Sequence, residues 1–249
     1  MKKTLMSIEN LSKNYHTSKK EIPAINELSF SVYEDEILAI VGPSGCGKST
    51  LLSILANLEE TSSGRIITNP QNKIGYMLQS DSLFPWLTIL DNALLGLNIQ
   101  KRKNQDTINN VLLLLKKYGL YDFKDQYPNN LSGGMRQRVA LIRTLATDPD
   151  LILLDEPYSA LDYQTRLALS NDLYNIIKNE GKTAILITHD IAEACSLADR
   201  VIVLTKRPCK VKNIYEINLF EKKNPIDNRK DPRFTYYYDM IWRDLDVHI

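Results

Sequence analysis

The stretch "GPSGCGKST" (Gly42–Thr50) decides how this sequence is read. It follows the apolar run "EILAIV" (Glu36–Val41) and precedes the helical "LLSILANL", the strand–loop–helix setting that the pattern G-x-x-x-x-G-K-[ST] requires. Gly42, Pro43, Ser44, Gly45, Cys46, Gly47, Lys48, Ser49 and Thr50 make up the loop. Its glycines let backbone amides close around phosphate oxygens, and the helix N-terminus that follows adds positive potential. Lys48 can reach β- and γ-phosphates, and the Ser49 hydroxyl can ligate Mg2+. Nucleotide binding is the reading this stretch carries.

Outward from the loop, "LILLD" (Leu151–Asp155), "TAILIT" (Thr183–Thr188) and "VIVLT" (Val201–Thr205) read as strands buried on both faces. Helical patterns separate them, which predicts an α/β fold with a parallel-sheet core. "SIENLSKNY" and "ELSFSVYED" alternate instead as antiparallel strands and predict a small N-terminal β subdomain. Leu90, Ala93, Leu94 and Leu97 form one apolar helical stripe, and Ile108, Val111, Leu112 and Leu115 form another, with Gly119 as a helix stop. After Thr205 the prolines Pro208, Pro225 and Pro232 and the aromatic "FTYYYDMIW" predict an irregular extension packed back on the domain.

The 249 residues are 43% hydrophobic and 24% charged, ordinary for a globular chain of this length. Lys plus Arg (31) nearly balances Asp plus Glu (30), so composition gives no support for nucleic acid as a partner. Cys46, Cys195 and Cys209 are too few and scattered for a disulfide framework, which favours a reducing compartment. No signal peptide is read at the N-terminus, and no run of eighteen apolar residues occurs.

"LILLDEP" (Leu151–Pro157) places two carboxylates at the C-terminal end of a buried strand, where open α/β sheets put their ligands. Asp155 there suits an Mg2+ shell, and Glu156 is placed to polarise a water against a γ-phosphate. "LSGGM" (Leu131, Ser132, Gly133, Gly134, Met135) precedes the helical "RQRVALIRTLA". Ser132 stands at a helix cap, and Gly133 and Gly134 leave their amides uncovered, so a second anion site is expected. Two phosphate cradles in one chain suggest a nucleotide held between two copies.

With Gln79, "SALD" (Ser159–Asp162) and "THD" (Thr188–Asp190) in the same order, the chain resembles the ATP-binding subunits of ATP-binding-cassette transporters from Ser7 to Val247. The resemblance implies a P-loop NTPase cassette with a helical subdomain, in one ATPase domain. Its β subdomain and RecA-like core would span about 1–80 and 148–205, its helical subdomain about 81–147, and a C-terminal extension 206–249. By the same resemblance Tyr15 stacks on adenine, Gln79 approaches the Mg2+ and attacking water, Asp162 contacts the opposite subunit and His189 touches the γ-phosphate. Glu156, His189 and Gln79 form the catalytic set, and Ser49, Gln79 and Asp155 the metal set. ATP and Mg2+ are the implied ligands.

"LFPWLTILDNALLGL", "LSGGMRQR", "SALDYQTR", "IAEACSLADRVIVLTKRP" and "FTYYYDMIWRDLD" together look like the ATPase subunits of nitrate/sulfonate/taurine-type importers, whose relatives carry pyrimidine precursors of thiamine. That implies a homodimer on the cytoplasmic side of the cell membrane. It would be held there by an integral-membrane permease and served indirectly by an extracytoplasmic solute-binding protein. An exporter ATPase and a non-transport cassette ATPase are the alternatives. Leu83, Phe84, Pro85 and Trp86 have two readings: a hydrophobic staple ahead of the helix capped by Thr88, and a groove for a permease helix. Met135 replaces the commoner glutamine of the signature. Asp35 stands where a turn glycine is usual, and since Asp tolerates left-handed geometry better than most residues, the turn is expected to survive. Cys46 is either an inert small side chain or a place where a bulky thiol adduct would block ATP.

Overall fold

The computed structural model describes residues 2–16, 20–158, 162–220 and 223–245. In chain order the elements begin β1 (Thr4–His16), β2 (Glu21–Tyr33), β3 (Ile37–Val41), α1 (Lys48–Leu55), β4 (Ser63–Thr68) and β5 (Ile74–Met77). Then come α2 (Ile89–Ile99), α3 (Gln105–Lys117), α4 (Gly133–Leu145), β6 (Leu151–Asp155) and α5 (Tyr163–Asn179). The last are β7 (Thr183–Ile187), α6 (Ile191–Leu197), β8 (Arg200–Leu204), β9 (Val211–Glu216), α7 (Pro225–Asn228) and α8 (Pro232–Asp244). Ser159–Leu161 of the "SALD" stretch and residues 246–249 lie outside the described residues.

The chain forms two compact units, Met1–Asn72 with Ser170–Ile249, and Lys73–Leu169. In the first, β1 pairs antiparallel with β2 (Ile8 opposite Phe30) and with β4 (Ile8 opposite Ile66), the expected antiparallel β region. The parallel strands run β7-β3-β8, with Leu38 beside Ile185 on one side and Arg200 on the other. All five residues of β3, β7 and β8 are buried, which is why, after Thr183 and Arg200 at the starts of β7 and β8, these runs are apolar rather than alternating. Asp35 opens β3 at φ 61°, the left-handed turn expected of it, and its amide donates to Thr183 Oγ1.

The tail corrects the expectation of an irregular extension. β9 adds antiparallel to β8, and "FTYYYDMIW" is helical. Pro232 sits at the start of α8, where a missing N–H costs nothing, and Asp231 caps it by accepting from Arg233 N. A proline taken for a breaker is here a helix start. α8 is tied to β9 at its far end, where the Asp244 carboxylate accepts from the Tyr215 hydroxyl and the Asn213 amide.

In the second unit β5 pairs parallel with β6, Met77 beside Leu154. α2, α3 and α4 close one apolar cluster of Ile89, Ala93, Leu94, Leu97, Val111, Leu115, Val139 and Ile142, so both predicted stripes meet a common partner. Thr88 caps α2 by accepting from Asp91 N, and Gly119 follows α3 at φ 72°. β5, β6 and the start of α5 belong to this unit as well.

Candidate functional site

In the first unit the loop Gly42–Thr50 joins β3 to α1, as its sequence requires. Gly45 and Gly47 have φ of 71° and 127°, and a Cβ at Gly47 would sit 3.1 Å from Ala24 O and 3.3 Å from Cys209 Sγ. Only glycine takes that turn in that space. Lys48 is 7% exposed and folds back along the loop, donating to Gly42 O (2.8 Å) and Pro43 O (3.0 Å). Its ammonium is thus held at the loop's mouth by weak acceptors that an anionic phosphate outcompetes. Cys46 is buried at 1% exposure and burial pushes its thiol up, so the folded chain exposes little thiolate for alkylation.

Tyr15 lies on β1 with its hydroxyl 3.2 Å from Thr50 Oγ1 and 3.0 Å from Glu59 Oε2, and Lys13 Nζ lies 5.2 Å from its ring centre. The ring therefore stands beside the last residue of the phosphate loop. Where β7 ends, Thr188 donates to the buried Glu193 carboxylate and accepts from Asp190 N, while Asp190 accepts from Glu193 N to cap α6. This closed ring of bonds presents the exposed His189 at the same strand ends as the loop, because β7 and β3 run parallel side by side. Sequence reasoning missed Glu193; nothing local marks a buried glutamate as the brace of a loop.

In the second unit Asp155 ends β6 at 8% exposure, and the Tyr76 hydroxyl lies 3.4 Å from its Oδ2. Glu156 follows with φ of 43°, a left-handed geometry that costs a non-glycine residue about 1–3 kcal/mol and is typical of functional sites. Gln79 Nε2 donates to Glu156 Oε2 at 3.3 Å, so two predicted catalytic residues are in direct contact. Gln137 on α4 donates to Pro157 O and pins the next peptide, a brace that also went unread in the sequence.

Ser132 caps α4 as expected, its Oγ accepting from Met135 N at 3.3 Å. Gly134 is buried, and a Cβ there would come into ordinary contact with Thr165 and Leu169 of α5 at 3.4 Å. Hydrogen bonds from the Thr165 side chain and then from Thr165 N hold the exposed Asp162 carboxyl below the usual range. Phe84 and Trp86 are 38% and 69% exposed with ring centres 5.1 Å apart, while Leu83 packs on the helical core. The staple reading thus fits Leu83 and leaves the aromatic pair at the surface.

The ABC transporter family profile matches residues 25–159, more than half of the chain. The chain belongs to the ABC transporter family. Among the relatives of this ABC subunit, the formylaminopyrimidine import ATP-binding protein ThiZ of Halalkalibacterium halodurans is 42% identical over 84% of this chain and 82% of its own. The taurine import ATP-binding protein TauB of Roseobacter denitrificans is 37% identical over 99% of this chain and 97% of its own. A solved dimeric cassette, MJ0796 in a post-hydrolysis state with ADP and Pi, superposes with a TM-score of 0.71 at 31% identity, covering 86% of this chain and all of that one. The ABC subunit described here is an ATPase whose hydrolysis is coupled to transport. No helix among its described residues is long and apolar enough to cross a membrane.

Proposed function

We propose that this ABC ATPase is the motor of an importer for small organic solutes of the sulfonate, taurine or formylaminopyrimidine kind, working as a head-to-tail homodimer on the cytoplasmic face of a membrane permease. Each ATP lies between the Gly42–Thr50 loop of one copy and Ser132–Met135 of the other. Lys48 and the loop amides hold the β- and γ-phosphates, Tyr15 stacks on the base, and Ser132 and the Gly134 amide complete the anion site. Asp162 meets the opposite copy. The donors Ser49, Asp155 and Gln79 are a hydroxyl, a carboxylate and an amide oxygen, hard ligands that suit Mg2+, which keeps waters and binds few protein groups. The ion supplies charge neutralisation of the phosphates when bound.

Glu156 takes the proton of the attacking water, Gln79 orients that carboxylate, and His189 donates toward the γ-phosphate. Positioning and charge stabilisation provide most of the acceleration in phosphoryl transfer, and closure of two copies supplies both. Leu83, Phe84, Pro85 and Trp86 receive a short permease helix, an aromatic pair being the usual anchor of such a contact. The contact that carries the reading is Gln79 on Glu156, held with Glu156 in left-handed backbone. Glu156→Gln should bind MgATP as the parent does and form a long-lived dimer, with phosphate release down about 100-fold or more. Undiminished turnover removes Glu156 as the base.

A further inference from the structure

Arg136 and Arg143 on α4 belong to neither anion site, yet both reach the same short segment. Arg136 Nη1 donates to Leu131 O (2.7 Å), the first residue of the signature, while its Nε donates to Asp81 Oδ2 (2.9 Å). Two turns further along α4, Arg143 donates to two consecutive carbonyls, Asp81 O (2.8 Å) and Ser82 O (2.7 Å). A guanidinium is rigid and planar, so a two-point contact fixes orientation as well as distance. Ser82 sits at φ 45°, a backbone state that persists only where its surroundings over-determine it, and Arg143 is what grips it.

Beyond Ser82 only Leu83 intervenes before a second anchor. Asn92, fully buried on α2, accepts from Phe84 N (2.8 Å) and donates to Phe84 O (3.1 Å), Leu87 O (3.0 Å) and Thr88 O (3.0 Å). Leu83 N is itself bonded to Asp81 Oδ1. The backbone on both sides of the exposed Phe84–Trp86 pair is therefore tied to α2 and α4, which share one packed core. Coupling between sites travels through packed, hydrogen-bonded contacts of this continuous kind.

We propose that Arg136 and Arg143, acting through Asp81, are positioning residues that make the signature turn and the Phe84–Trp86 loop respond as one piece, so that Trp86 senses whether Ser132 covers a nucleotide. This rests on the head-to-tail dimer proposed above, and it is a route separate from Gln79, which touches the hydrolytic carboxylate.

The chain holds two tryptophans, so Trp242→Phe leaves Trp86 as the sole indole. In a Glu156→Gln, Trp242→Phe chain, acrylamide quenching of Trp86 is measured with MgADP and MgATP while light scattering follows dimer formation. The expected result is a quenching constant that changes with MgATP, a change lost in Arg143→Gln and in Asp81→Ala while ATP affinity and the dimer persist. Arg143→Lys, which keeps charge but cannot span both carbonyls, should recover only part of it. A full response in both variants, even with lowered melting temperatures, overturns the proposal and leaves the arginines as plain braces. An unresponsive Trp86 in the parent dimer overturns it too. A chain that stays monomeric in MgATP removes the dimer reading and this inference together, and the scattering trace tells that failure apart.

Discussion

The Gln79 carboxamide donates to the Glu156 carboxylate at 3.3 Å, joining residues 77 positions apart in the chain. β5 and β6 run parallel and side by side, so the residues just past their ends meet. A hydrogen bond to a charged group contributes about 1.5–3 kcal/mol, enough to matter for the direction in which a catalytic carboxylate points. Gln79→Leu should therefore lower turnover by roughly 10–100-fold, well beyond any loss of MgATP affinity, read from phosphate release and a nucleotide titration. Equal loss of affinity and turnover would make Gln79 a binding group instead.

Trp86 is 69% exposed and leaves no cavity in the core when truncated. Trp86→Ala should keep ATP binding and melting temperature while membrane-protein co-purification falls. Substitution of the half-buried Leu83, which packs on the helical core, should act in the reverse order, costing stability first.

Glu36 and Arg200 form an ion pair at 3.1 Å in which both side chains are almost fully buried, with Arg200 also donating to Ser31 O and lying over the Tyr33 ring. Burial raises the Glu36 pKa despite the opposing charge of Arg200. Arg200→Met should cost about 3–5 kcal/mol at neutral pH in urea unfolding, because it strands the carboxylate, and Glu36→Gln added to it should return much of that. A carboxyl whose folded pKa lies above its unfolded one is penalised as pH rises through that interval. The Arg200→Met defect should accordingly shrink on mild acidification.

The Tyr215 hydroxyl is pushed up to about 12, by burial first and then by its bond to the Asp244 carboxylate. Its neutral form is the one the fold prefers, so this contribution is intact below the unfolded value of about 10 and disappears between there and about 12. Ultraviolet titration should show one tyrosine with a midpoint near that upper limit, and Asp244→Asn should bring it down. Release of α8 from β9 should accompany the titration, visible as a change in Trp242 emission.

Much of the site was legible because its chemistry is local. A glycine at positive φ, a serine at a helix cap and an acidic pair at a strand end are dictated by a few neighbouring residues, and Gly47, Ser132 and Asp155 stand as those rules require. Asp35 is the same case, a non-glycine in a left-handed turn that its short polar side chain tolerates. The three central strands were readable for a related reason: burial on both faces favours runs of apolar residues, broken here only where Thr183 and Arg200 start β7 and β8.

Tertiary structure alone decided what those local pieces are tied to. Nothing near Asn92 says that its amide will bind Phe84 and Leu87 rather than water, and Arg143 finds Asp81 and Ser82 only because α4 packs beside that loop. Pro232 reads equally as a breaker or a helix start, and α8 forms where Asp231 caps it and its far end meets β9. Cys46 looks like a reactive loop thiol until packing buries it. Backbone preference acts over a few residues, whereas the partners of a buried polar side chain are chosen by whichever distant segment the fold brings against it.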